Sequence, residues 1–141
     1  MTRLEKINEK NNVLTWFEIP AQHLLRAKSF YEKLLEIKMP LRMDGDFKAA
    51  FFPYDQNSMQ ASSGRVTGTI IQVDPASKSF TDHSYNGVIV YLNASPSIDE
   101  VLNRVQIAGG QVLEDKNRIP PGWIAKIKDT EGNIIGLFSE S

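Results

Sequence analysis

Residues 13–35 read VLTWFEIPAQHLLRAKSFYEKLL, a β-rich run followed by a short turn and an amphipathic helical pattern. Residues 87–108 read GVIVYLNASPSIDEVLNRVQIA and repeat that order. A supersecondary unit that occurs twice in one chain predicts a duplicated module. Two copies of a small sheet placed side by side would enclose a pocket that neither copy makes alone.

The first half of the chain predicts one strand, one helix and then further strands. The first strand is predicted over 13–19, and Pro20 ends it because proline cannot donate to a sheet ladder. The spacing of apolar residues predicts a helix over 22–35. Strand-like runs follow at 47–54 and 66–73.

The second half predicts the same order. After a strand over 88–92, Ser97 and Glu100 have the spacing of a helix capping box. Gly109 and Gly110 are predicted to end this helix, since glycine adopts the left-handed conformation without penalty. Gly132 supplies a positive φ in a predicted tight hairpin. The last strand-like runs lie at 111–114, 123–128 and 133–139.

The fold class that follows is α+β, with two tandem βαβββ modules whose curved mixed sheets form a half-barrel. We predict a single domain over 1–141, made of module 12–73 and module 86–139. The polar stretch 74–85 is the predicted linker between them.

Composition narrows the function classes. The net charge of −1 offers no basic face for a nucleic-acid partner. The chain has no cysteine, which excludes disulfides and thiolate chemistry. Its first 12 residues are polar and charged rather than signal-like, and no apolar run approaches the ~20 residues of a membrane span. We therefore expect a cytoplasmic protein without a membrane partner.

Four stretches resemble the vicinal oxygen chelate superfamily, which includes glyoxalase, bleomycin-resistance and extradiol dioxygenase proteins. They are WFEIP at 16–20, RAKSFY at 26–31, AGG at 108–110 and AKIKDTEGNIIGL at 125–137. The resemblance covers about residues 12–139. It implies the paired βαβββ fold, a homodimer and, in many members, a divalent metal that binds vicinal oxygens of a substrate.

The residues at the family's metal-ligand positions in this chain are not metal ligands. The resemblance places the family's ligand positions on Trp16, Gly87 and Gly136, and on the strand near Thr69 to Ile71. None of these residues has an imidazole or carboxylate group, which such metals require. We therefore expect no metal and no other cofactor.

Side-chain alternation on strands gives the candidate site residues. If Trp16 faces the pocket, so does Glu18, and the same parity directs Ile89 and Tyr91 inward on the second module's first strand. Phe138 faces inward on the last strand. Trp16 is either an aromatic wall for a planar ligand or core packing. Trp123, after Pro120-Pro121-Gly122, would cover the pocket, pack in a dimer interface or shield the surface.

Three functional hypotheses remain open, and the third is an oligomerising or regulatory module without a ligand. The first is a metal-free protein that binds a small amphipathic or aromatic molecule between its modules, with Trp16, Ile89, Trp123 and Phe138 as ligand-binding residues. The alternative is a metal-free isomerase or lyase in which Glu18 acts as general base and Tyr91 as hydrogen-bond donor. Glu18 also has a purely structural interpretation, as a carboxylate that accepts a neighbouring hydrogen bond.

Overall fold

A computed structural model of the chain describes residues 7–57, 64–73 and 88–141. It contains two helices and two four-stranded mixed sheets, which confirms the α+β fold class and the repeated strand–helix–strands order. The first module consists of β1 (Trp16–Ala21), α1 (Leu24–Leu35), β2 (Leu41–Asp44), β3 (Phe47–Phe51) and β4 (Thr67–Gln72). The second consists of β5 (Tyr91–Asn93), α2 (Ile98–Ala108), β6 (Gln111–Ile119), β7 (Gly122–Lys128) and β8 (Ile134–Ser139).

The two sheets have equivalent topologies. The strand order is β1-β4-β3-β2 in the first and β5-β8-β7-β6 in the second. In each sheet the first and last strands of the module are parallel neighbours, and the remaining pairs are antiparallel. The two sheets are not closed into a barrel. The predicted linker 74–85 lies outside the described residues, as does Gly87.

The core lies between the sheets and the two helices. Four successive residues of the interior strand β4 are buried, whereas all four residues of the edge strand β2 are exposed. In the described part of the chain, neither helix is long and apolar enough to cross a bilayer. The largest fully buried apolar side chains are Tyr31, Phe30, Leu34, Met39, Ile70, Ile98, Ile127 and Leu137.

Pro20 does not end the first strand, and this prediction was wrong. β1 continues through Pro20 to Ala21, with Pro20 paired to Ile71 of β4. Within the described part of the chain, β4 is the only strand paired with β1. A proline is tolerated on such an edge strand because its missing N–H group can face away from the ladder.

The predicted capping box at the start of α2 was also wrong. Ser97 is the N-cap residue, but its side chain makes no capping hydrogen bond. Instead the Ile98 N–H group donates to the main-chain oxygen of Ser141 at 3.1 Å. At the other end, Gly109 adopts φ 109°, as predicted for a glycine C-cap. β6 is longer than predicted and runs to Ile119.

A polar network in the turn between β7 and β8 joins the second module to the first. Its centre is Asp129, whose carboxylate accepts the hydroxyl of Tyr31 in α1 at 2.7 Å. The same carboxylate accepts the side-chain amide of Asn133 and the N–H groups of Glu131 and Asn133. We call Asp129, Glu131 and Asn133 the turn network.

Glu131 carries the turn network to the start of α1. One carboxylate oxygen accepts the N–H groups of Gln22 and His23, each at 2.9 Å, and the other accepts Arg26 at 2.7 Å. The N-cap residue His23 makes no side-chain cap of its own. Glu131 therefore places a negative charge at the positive end of the helix from a position more than 100 residues away in sequence.

Burial and partners determine ionisation in the turn network. Burial raises the pKa of Asp129, although its hydrogen bonds favour the ionised form. Burial together with the Asp129 carboxylate raises the pKa of Tyr31, which keeps its hydroxyl protonated. Burial also opposes ionisation of Glu131, but the hydrogen bonds from Arg26, His23 and Thr130 outweigh it and lower its pKa.

Candidate functional site

The two faces of β1 have different environments. Phe17 and Ile19 lie toward the core, and Ile19 is only 3% exposed. Trp16 and Glu18 alternate with them and lie on the opposite face, where Trp16 is 36% exposed. This is the arrangement that the parity argument placed on the pocket side. Trp16 is thus at the surface of the sheet rather than in the hydrophobic core.

Three aromatic rings form a continuous surface on this face. The Trp16 and Phe51 rings meet edge to face with centroids 6.0 Å apart, and Phe51 contacts Tyr54 at 5.7 Å. We call Trp16, Phe51 and Tyr54 the aromatic surface. Phe52, which directly follows β3, points the other way and packs on Tyr31 in the core. The aromatic surface is therefore separate from the aromatic core.

Polar groups lie beside the aromatic surface. Thr69 of β4 is paired with Glu18 on one side and with Phe51 on the other, so the three side chains share a face. Thr69 is 1% exposed, and its buried hydroxyl has no hydrogen-bond partner among the described residues. The Glu18 side chain is exposed and makes no ion pair or hydrogen bond within the described part of the chain.

In the second module, Tyr91 lies over Gly136. The two residues are ladder partners on β5 and β8, and Phe138 shares their face through its pairing with Asn93. A Cβ atom placed on Gly136 would lie 2.7 Å from Cγ of the Tyr91 ring. Tyr91 therefore occupies the space that a side chain at position 136 would need. Ile89 lies before β5 and is half-buried.

Trp123 lies on the other side of the second sheet. It shares a face with Ala125, which is part of the core, and it packs against the core itself. Two cations lie over its ring, with Lys116 Nζ at 4.8 Å and Arg118 Cζ at 5.4 Å from the centroid. We therefore leave Trp123 out of the candidate site.

A cleft of about 490 Å³ lies where the two modules meet. Its size is within the range of small-molecule pockets. Thr67, the ladder partner of Trp16, connects it to the aromatic surface. The lining residues are Phe17, Leu35, Ile37, Phe52, Pro53, Val66, Thr67, Tyr91, Leu92, Asn93 and Ser95.

Glu18 and Tyr91 are not joined by a hydrogen bond in the described residues. Tyr91 lines the cleft between the modules, whereas Glu18 lies on the face of the first sheet. A general base and a hydrogen-bond donor act on a substrate rather than on each other, so the isomerase or lyase hypothesis does not depend on this bond and stays a prediction.

The residues at the family's metal positions do not fit a metal. Trp16 presents an indole ring, and Tyr91 fills the space above Gly136. Thr69 on β4 offers one neutral hydroxyl. Within residues 7–57, 64–73 and 88–141, no three His, Cys, Asp or Glu side chains lie close enough together to hold a metal ion.

Sequence reasoning missed part of this site. Phe51 and Tyr54 were assigned only to a strand-like run, since adjacent phenylalanines at 51 and 52 leave open which one faces the core. Thr69 was noted only for lacking a metal-binding group, and its unsatisfied hydroxyl depends on packing that a sequence does not reveal. Assigning Ala50 to the core would have identified Phe52 as its same-face partner and Phe51 as the outward residue.

The following three solved structures share this architecture. A glyoxylase/bleomycin resistance protein/dioxygenase domain from Frankia sp. EAN1pec is 16% identical, with coverage of 91% of this chain and 97% of that one and a TM-score of 0.63. TnmS3, an antibiotic binding protein from Streptomyces sp. CB03234, is 19% identical, with coverage of 92% and 97% and a TM-score of 0.59. A glyoxalase I variant from Zea mays is 18% identical, with coverage of 90% and 46% and a TM-score of 0.66, so this chain matches about half of it.

These structural likenesses establish the fold. The sequence matched none of the curated proteins with which it was compared. The family model for the Glyoxalase/Bleomycin resistance protein/Dioxygenase superfamily matches residues 13–137, nearly the whole chain. Together with the repeated modules, this match shows that the chain belongs to the glyoxalase/bleomycin resistance protein/dioxygenase superfamily.

Proposed function

We propose that this protein binds a small amphipathic or aromatic molecule without a metal, on the aromatic surface and in the adjoining cleft between its modules. The observation that carries the proposal is the cluster of Trp16, Phe51 and Tyr54 on the sheet face opposite the core. Aromatic side chains in such a position provide a large contact area for a planar ligand.

The cleft supports the same proposal. Its floor is apolar, with Phe17, Phe52 and Leu92, and Asn93 and Ser95 add polar groups. Ligand sites typically combine a mostly apolar lining with a few polar groups that fix orientation. TnmS3, a protein with a similar fold, is described as an antibiotic binding protein. We propose that Ile89 and Phe138 extend the apolar lining on the side of the second module.

The two tryptophans provide a direct test. A neutral planar probe, naphthylmethanol, is titrated into protein labelled with nitrogen-15, and the two indole N–H resonances are followed by NMR. We expect the Trp16 resonance to shift in a saturable manner while that of Trp123, on the other side of the second sheet, stays in place. Phe51→Ala should weaken the affinity about fivefold to tenfold, because it removes an aromatic contact but leaves the reporter.

Trp123→Phe is the matched control and should leave the affinity for naphthylmethanol unchanged. A shift confined to Trp123, or an affinity unaffected by Phe51→Ala, would place binding elsewhere and contradict the proposal. The isomerase or lyase hypothesis remains the second candidate, with Glu18 as general base and Tyr91 as hydrogen-bond donor. It would replace the binding proposal if turnover of a carbonyl compound were detected and abolished by Glu18→Gln.

We further propose that the protein is a homodimer. Leu41 and Met43 are exposed on β2, an edge strand of the first sheet in the described part of the chain, and Leu25 of α1 lines a hollow together with Met43. Exposed apolar side chains along an unpaired edge favour pairing with another chain.

Native mass spectrometry should give twice the 15.9 kDa chain mass. Met43→Asp should shift the population to monomer because it places a charge in the contact. Ile107→Asp, a change at an even more exposed apolar residue on α2, should not. A monomer in the unaltered protein would refute the dimer. A stoichiometric metal mass would refute the metal-free part of the proposal.

A further inference from the structure

We propose that the aromatic surface, with Glu18 and Thr69, selects an organic cation, and that the natural ligand is an aromatic or amphipathic amine. This inference rests on the proposed binding function and adds the charge of the ligand to it. Three features support it: the Glu18 carboxylate without a counter-charge, the rings of the aromatic surface, and the buried Thr69 hydroxyl, which has no partner among the described residues. All three lie on one face of the first sheet.

The Glu18 carboxylate determines which sign of ligand charge this face favours. Glu18 has no cationic partner among the described residues, and its ladder neighbour Thr69 is neutral. Arg42 belongs to the same face through its pairing with Ala49, but it is bound to Asp44 at 2.6 Å. This face therefore presents an uncompensated negative charge beside the rings, and a cationic ligand would neutralise it.

The rings favour the same ligand. The face of an indole or phenol ring carries negative electrostatic potential and attracts an ammonium group within about 6 Å of the centroid. Trp16 and Tyr54 are exposed, so a ligand can reach them. An aromatic amine can therefore stack its apolar part on one ring and place its ammonium group close to another.

The hydroxyl of Thr69 is a second, independent indication. A buried hydroxyl without a hydrogen bond is unfavourable, and such groups in native proteins require an explanation. Thr69 is directly opposite Glu18 on neighbouring strands, which lie about 4.8 Å apart. The hydroxyl is buried, so a ligand reaches it only when the side chains that cover it move aside. An ammonium group that does so has three N–H donors and can bind the carboxylate and the hydroxyl oxygen together.

The test uses three probes of similar shape: naphthylmethylammonium, neutral naphthylmethanol and the naphthoate anion. Affinity is measured by the shift of the Trp16 indole resonance, with Trp123 as the internal reference. We expect the ammonium probe to bind at least about fivefold more tightly than the alcohol, and the anion to bind most weakly. Raising the salt concentration should reduce the preference for the ammonium probe.

Three variants assign the effect to residues. Glu18→Gln should remove most of the preference for the ammonium probe over naphthylmethanol. Thr69→Val should weaken ammonium binding about threefold, and Thr69→Ser should restore it. Because the Thr69 hydroxyl is unsatisfied, Thr69→Val should leave the thermal midpoint unchanged or higher, so a loss of affinity would not reflect misfolding.

The outcomes separate the two proposals. If naphthylmethanol binds at Trp16 but the three probes have equal affinities, or the anion is preferred, the cation inference is wrong and the binding function stands. If the ammonium preference survives Glu18→Gln, this site is not its source and the inference is also overturned. If no probe shifts Trp16, the proposed function fails and the cation inference with it.

Discussion

Asp129→Ala is expected to lower the free energy of unfolding by about 3–5 kcal/mol, because it leaves several buried donors without an acceptor. Four hydrogen bonds end on this carboxylate, from the Tyr31 hydroxyl, the Asn133 amide and the N–H groups of Glu131 and Asn133. Asp129 is 4% exposed, so water cannot replace them without opening the structure. Urea unfolding followed by circular dichroism measures the change.

Two further variants separate the contributions within this network. Tyr31→Phe removes one donor and should cost about 1–1.5 kcal/mol. Asp44→Ala is the matched surface control, because Asp44 accepts a short hydrogen bond from Arg42 but is exposed, and it should change stability by less than about 0.5 kcal/mol. A loss at Asp129 no larger than at Asp44 would mean that the turn network does not hold the modules together.

The sequence predicted those features that depend on local periodicity. The separation of Trp16 and Glu18 from Phe17 and Ile19 follows from the alternation of side chains along a strand. The C-cap at Gly109 and the positive φ of Gly132 follow from the conformational freedom of glycine, and both are present. The repeated strand–helix–strands order was visible for the same reason, since each element carries its own pattern of apolar residues.

What the sequence did not reveal depends on contacts between distant residues. The segment from Asp129 to Asn133 was predicted only as a hairpin, because its partners in α1 lie about 100 positions earlier in the chain. Ser97 and Glu100 have capping-box spacing, yet the end of the chain supplies the partner of Ile98 instead. In the candidate site, Thr69 and Glu18 became neighbours only through the parallel pairing of β1 with β4.

Glu131→Gln should lower the free energy of unfolding by about 2–3 kcal/mol at pH 7, since hydrogen bonds to a charged group are stronger than those to a neutral one. The Glu131 side chain is 0% exposed, whereas its partner Arg26 is 50% exposed. Most of the loss therefore comes from the N–H groups of Gln22 and His23 at the start of α1, which lose a charged acceptor. Urea unfolding at a series of pH values measures it.

The pH dependence of that loss follows from the direction of the pKa shift. Because the folded-state pKa of Glu131 is lowered, its stabilisation is fully present above about pH 4.3, the unfolded value, and is lost as the pH falls through the folded value. The stabilisation from Asp129 has the opposite pH dependence. Because the folded-state pKa of Asp129 is raised, this stabilisation is lost as the pH rises through the folded value. Glu131→Gln removes only the pH-dependent stabilisation that comes from Glu131. Glu32, whose pKa is also lowered, is present in both proteins and therefore does not contribute to the difference between them. The difference between the unaltered protein and the variant should therefore narrow as the pH is lowered from 7 to 3. A difference that stays constant over this range would show that the charge of Glu131 does not stabilise the fold.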